Sequence, residues 1–141
     1  MLTGIKHLHS FIPYLLIPIL FLTLIVALSG FGGKRPFKGF TKTIAMVGLM
    51  LTHITFLAGL VLYIAQGRYQ NIGASMKVAE ARFFSVEHIS TMIIGVILIT
   101  MGYSKAKRSS SHEQAHKRIF WFYAIGFILI LSRIPWKQWL S

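Results

Sequence analysis

The sequence has no cysteine and only three acidic residues, and its charged fraction is 13%, where an average chain carries about a quarter. Without cysteine, disulfides, iron–sulfur clusters, thiolate metal sites and thiol catalysis are excluded. With so few carboxylates, paired-carboxylate acid–base chemistry has little material. Glu113 lies in a basic segment, which leaves Glu80 and Glu87. No polar stretch is long enough to predict a soluble domain. What is there instead is apolar: 55% of the 141 residues are hydrophobic, and the mean hydropathy is +0.65. The formal charge of +12 sits in short segments between long apolar runs. That is the pattern of an integral membrane protein, and no basic helix or aromatic-basic module predicts nucleic-acid binding.

Four runs are long enough, or nearly so, for the about 20 residues that cross the hydrocarbon. They lie near 8–28, 43–65, 83–103 and 119–136. The first is too long for a signal-peptide core and predicts a span. Pro13 and Pro18 break its hydrogen-bond ladder and predict a bend. The second connector is polar, and its last part, 74–81, reads as a short interfacial helix. The predicted fold is all-α, an integral membrane four-helix bundle of one domain in contact with the lipid bilayer. The first and third connectors hold nine of the fifteen Lys and Arg residues. By the positive-inside bias this predicts both termini on the outer side of the membrane.

Helical spacing selects one inward stripe per span. These are His9, Pro13, Leu16, Leu20, Thr23, Ala27 and Gly30; then Ala45, Gly48, Thr52, Thr55 and Gly59, with His53 at the margin. In the third span they are Ser85, His88, Met92, Gly95, Ile99 and Gly102, and in the fourth His116, Ile119, Tyr123, Gly126, Ile130 and Arg133. The small residues in these stripes predict close helix packing.

Of the six histidines, His7, His112 and His116 flank or enter polar segments and are expected in solvent. His9, His53 and His88 fall within spans, where an ionisable residue marks a functional site by default. At 1.5 Å rise per residue, His88 lies about 8 Å below one boundary and His9 about 2–5 Å below the same one, with His53 roughly 10 Å deeper than His88. His9 and His88 are therefore the favoured axial ligands of a haem iron, the alternatives being interhelical hydrogen-bonding residues without a cofactor, a different metal or a quinone alone, and His53 is a reserve ligand or second site. Glu87 points about 100° away from His88 on the helix and is expected to pair with Arg82 or Arg133, or to serve a proton path. Arg82 and Arg133 are candidate partners for haem propionates, or interfacial anchors.

Several stretches carry a likeness: Leu8-His9-Ser10, Leu51-Thr52-His53, Gly59-Leu60-Val61-Leu62-Tyr63, Arg82-Phe83-Phe84-Ser85-Val86-Glu87-His88, Gly102-Tyr103-Ser104-Lys105 and Ile134-Pro135-Trp136. On these, over nearly its whole length, the chain resembles a family of small bacterial four-helix membrane proteins labelled cytochrome B. The resemblance implies haem b and a multi-pass place in the bacterial inner (cytoplasmic) membrane. A weaker likeness, in size, span number and an Arg-Phe-Phe-like opening of a span, is to the membrane protoporphyrinogen oxidase family. Three functions are thus expected in turn. The first is a b-type cytochrome-like electron carrier or respiratory accessory subunit, with quinone or another respiratory membrane subunit as partner. The second is a cofactor-free subunit of a larger complex. The third is a haem-synthesis or quinone-linked oxidoreductase in which Glu87 accepts a proton.

Overall fold

The computed structural model describes residues 1–141. Four long helices dominate: α1 (Leu2–Leu28), α2 (Phe40–Ala65), α5 (His88–Lys107) and α6 (His112–Ser132). Between α2 and α5 lie two single turns, α3 (Ile72–Ser75) and α4 (Ala79–Arg82), and α7 (Trp136–Leu140) closes the chain. There is no strand. The interfacial helix expected over 74–81 is broken, because Val78 is extended (φ −118°, ψ 121°). Its second part, α4, runs through a π-helical turn, Phe83–Glu87, straight into α5. Helix α1 begins six residues before the predicted boundary and stays helical through Pro13 and Pro18. Four helices are long and apolar enough to cross a membrane, and the chain is a multi-pass membrane protein.

The packing is that of two helical hairpins, α1 with α2 and α5 with α6, laid against each other. The predicted inward stripes are the buried ones. Leu16, Leu20, Thr23 and Ala27 face in from α1, and Ala45, Gly48 and Thr52 from α2. Gly95, Ile99 and Gly102 do so from α5, and His116, Ile119, Tyr123, Gly126 and Ile130 from α6. Glycine sets the distance of closest approach where α5 meets α6. A Cβ on Gly126 would stand 3.2 Å from the Gly95 carbonyl oxygen, and one on Gly95 would stand 2.8 Å from Ile130 Cγ1. In lipid no hydrophobic drive pulls helices together, so such close backbone contact supplies the attraction. The outward faces are large and apolar, with Phe21, Leu57, Ile97 and Ile128 all exposed.

Polar groups inside are paired except for the Nδ1 of His116, which is buried without a partner. The Tyr123 hydroxyl donates to the Ala45 carbonyl at 2.7 Å and ties α6 to α2. Thr23 and Thr52 return their hydroxyls to carbonyls one turn back. Ser111 caps α6 by accepting from the Gln114 N–H.

One expectation fails at the end of the bundle that carries the basic connectors. His116 is not in solvent; it is fully buried, at 0% exposure. It lies on the face of α6 that also carries Ile119 and Tyr123, so the helix that buries them buries it. Its Nε2–H donates to the Arg35 carbonyl at 3.0 Å, Phe37 meets it edge-on, and a Cβ on Gly30 would collide with its ring. His112 is exposed, as expected, and its Nδ1 accepts from the Phe37 N–H at 3.0 Å. These two imidazoles hold the first connector down on α6.

Candidate functional site

At the opposite end, where the chain termini lie, the two hairpins leave a cavity of about 420 Å³ between them. Its walls are mostly apolar, and His9 and His88 enter it from opposite hairpins. Each histidine is held by the other helix of its own hairpin. His9 Nδ1–H donates to the Thr55 carbonyl of α2 at 2.9 Å. His88 Nδ1–H donates to the Arg133 carbonyl, just past α6, at 2.7 Å. A carbonyl can only accept, so both Nδ1 atoms carry the proton and both Nε2 atoms keep their lone pairs. Neither Nε2 has a hydrogen-bond partner, and neither is sealed from the cavity surface. The two rings stand 6.3 Å apart, centre to centre, with planes at 90°.

The local sequence explains how each ring reaches its place. Gly59 lies directly under His9, and a Cβ there would come within 2.6 Å of His9 Cε1. Pro13 has no N–H to return to the His9 carbonyl, so the helix around His9 lacks one internal restraint. On the other side the π-helical turn ends at Glu87, the residue before His88. Such turns insert one extra residue and rotate the next stretch of helix about its axis. The Tyr63 hydroxyl pins this one by donating to the Ser85 carbonyl at 2.7 Å. Phe83 stacks on the His88 ring, with centres 5.9 Å apart.

The charged residues divide into two groups. Glu87 turns away from the cavity and binds Arg82 Nε at 2.9 Å and Arg133 Nε at 3.5 Å. Arg82 also donates to the Met76 carbonyl. Neither guanidinium lines the cavity. The cations that do are Lys6 and Arg68, and Arg68 lies over the Phe84 ring at 5.1 Å. Arg133 serves the site through its carbonyl instead. The mouth is partly covered by α7, where Trp139 Nε1–H donates to the Ser10 carbonyl at 2.8 Å and its ring packs on Tyr14.

The structure thus brings His9 and His88 together and sets His53 apart. His53 is exposed on the outer face of α2 and hydrogen-bonds Thr100 Oγ1 through Nε2 at 2.8 Å. The sequence did not reveal the two carbonyl acceptors, Arg68, Lys6 or the π-helical turn. Gly59 was legible, since it sits on the small-residue stripe of α2, but its contact with His9 was not.

No group of three or more His, Cys, Asp or Glu side chains is placed to hold a metal ion. Two imidazole lone pairs can complete the sphere of a metal only if another ligand fills the remaining positions. Comparison with protein-family models, with curated proteins and with solved structures gave no match.

Proposed function

We propose that this protein is a b-type cytochrome-like electron carrier or respiratory accessory subunit, with haem b held between the two hairpins by His9 and His88. The observation that carries the reading is the histidine pair itself. Two imidazoles sharing one metal through facing nitrogens, at about 2.0–2.1 Å per bond, have ring centres about 6 Å apart, and His9 and His88 stand at 6.3 Å. Both nitrogens needed for iron are unprotonated and unpaired. Both remaining N–H groups are fixed by carbonyls, the arrangement metal-ligating histidines usually show. A macrocycle supplies the other ligands that two histidines leave open. The cavity is large enough for a small-molecule site, which runs to about 300–1,000 Å³, and is walled mostly by apolar side chains.

When bound, the haem supplies one-electron chemistry, with a potential set by its axial ligands and by burial. The chain's own residues do the rest. His9 and His88 would hold the iron, and Thr55 and Arg133 fix the rings through their carbonyls. Gly59 makes room for His9. Lys6 and Arg68 are the cations at hand for the propionates, while Arg82 and Arg133 are occupied with Glu87. With both histidines holding the iron, the haem group would supply electron transfer rather than chemistry on a bound substrate. A bacterial inner membrane location with the termini outside, and a quinone or respiratory subunit as partner, belong to the same proposal. The resemblance and the Lys/Arg asymmetry support them.

The test is the visible spectrum of detergent-purified protein, oxidised and dithionite-reduced, after expression in a haem-sufficient host. A Soret band and low-spin reduced bands are expected, lost in His88→Ala and kept in His112→Ala. Absence of a Soret band removes this reading in favour of a cofactor-free subunit. Retention of the low-spin bands in His88→Ala removes the ligand assignment.

A further inference from the structure

His53 is unexplained by this site. It sits near the middle of α2, about 18 Å from the Ala65 end, on a face the rest of the chain leaves open. An ionisable side chain at that depth is costly in lipid and is retained where it has a partner. Thr100 is one partner, and it fixes the chemistry of the other. The Thr100 hydroxyl has a single proton, which it donates to the Val96 carbonyl at 2.7 Å. Toward His53, at 2.8 Å, it can therefore only accept. So His53 Nε2 carries the ring proton, and Nδ1 is a bare acceptor with no partner in the protein. The missing partner must bring a hydrogen-bond donor into the bilayer core.

A second copy of the chain cannot supply that donor across a twofold axis, since such an interface sets the same patch against itself. Ser90 is exposed on α5 but lies about 15 Å from the level of Thr100, and the exposed residues along this face within about two turns of His53 and Thr100 are Met46, Met50, Ile54 and Leu57 on α2 and Ile93, Ile97 and Met101 on α5. None carries an N–H or O–H on its side chain, so two copies would meet acceptor to acceptor. Free lipid tails carry no donor either. A lipid-soluble molecule with a hydroxylated head does.

We propose that His53 and Thr100 form a docking site for the hydroxyl of a membrane-soluble hydroquinone, which donates to His53 Nδ1. The choice of a hydroquinone among hydroxylated lipids rests on the electron-carrier reading. The acceptor itself does not. Thr52, the neighbouring residue, lines the central cavity, so the head would lie across α2, about 10 Å thick, from that cavity and roughly 10 Å deeper than His88.

The asymmetry of the site gives a sharp test. A hydroquinone has the donor; its oxidised quinone has none. The full chain in lipid nanodiscs is titrated anaerobically with a decyl-substituted ubiquinol analogue and, separately, with the matching quinone. Affinity is read directly, and the ring nitrogens are followed by NMR on histidine-labelled protein. The quinol is expected to bind about tenfold or more tighter than the quinone, with a shift confined to His53 Nδ1. His53→Leu, which suits a lipid-facing position, should lose that preference and keep the folded size. Thr100→Val releases the fixed tautomer and should narrow the quinol-to-quinone ratio.

Equal binding of both forms, unchanged binding in His53→Leu, or no binding at all overturns the proposal. So does a dimer that His53→Leu dissociates, because a protein contact would then be the partner. The Soret band is read on the same samples. Quinol binding without haem supports this site while removing the electron-carrier reading. Haem without quinol binding removes this site alone.

Discussion

The two ends of the bundle spend their buried histidines in opposite ways. At the basic end, His116 is wedged between Gly30, Phe37 and the Arg35 carbonyl, with no space around it. At the terminal end, His9 and His88 are fastened just as firmly through Nδ1, yet each leaves Nε2 open on a shared cavity. The middle of the bundle is closed by Tyr123, Ile99 and Ile119, all essentially inaccessible. The terminal end keeps its two hairpins apart. Burial alone therefore does not mark a ligand. What sets His9 and His88 apart for the proposed role is a fixed proton on one nitrogen, a free lone pair on the other, and room in front of it.

That contrast predicts which substitutions affect a cofactor and which affect the fold. The largest effect is expected for His9→Ala, which should abolish the low-spin haem spectrum while leaving the thermal unfolding midpoint of the haem-free protein in detergent nearly unchanged. An unaltered spectrum would mean the ends do not differ as described. Next comes Gly59→Val, which pushes directly on the His9 ring. Haem affinity should fall about 10–100-fold, as when a supporting group of a metal ligand is lost, measured by haem titration of the apoprotein. In the packed half, Gly126→Leu should do the reverse. It forces α5 from α6 and should cost about 1–3 kcal/mol of stability, with the band positions unmoved in whatever protein folds. The smallest effect is expected for Tyr123→Phe, which deletes one buried hydrogen bond to Ala45. It should lower stability by about 0.5–1.5 kcal/mol, read from unfolding in mixed detergent, with no change in spectrum.

The same contrast explains what could be read from the sequence. Apolar runs and small-residue spacing carry the helices and their inward faces, because lipid imposes one period and one length on every span. His9 and His88 could be matched by depth for the same reason. Backbone carbonyls such as those of Thr55 and Arg133 leave no trace in the sequence, since every residue has one. The π-helical turn at Phe83–Glu87 is likewise a backbone event, held by Tyr63 from another helix. His116 was different: its spacing to Ile119 and Tyr123 placed it on the inward stripe, and the basic residues around it pointed to solvent. Packing prevailed because α6 buries Ala115 and His116 at its start, with the His116 ring set against the connector from Gly30 to Phe37. Arg82 and Arg133 were matched to the cavity by level on the helix, whereas their side chains turn to the one carboxylate nearby, Glu87.

The perpendicular setting of the two imidazoles offers the most direct test of the central claim. Rings at 90° would donate equally to the two d orbitals of a bound iron that parallel rings would split. Electron paramagnetic resonance of the ferric protein at low temperature should then give a low-spin signal dominated by one line at low field. A high-spin ferric signal, or no haem signal at all, would contradict iron held between His9 and His88.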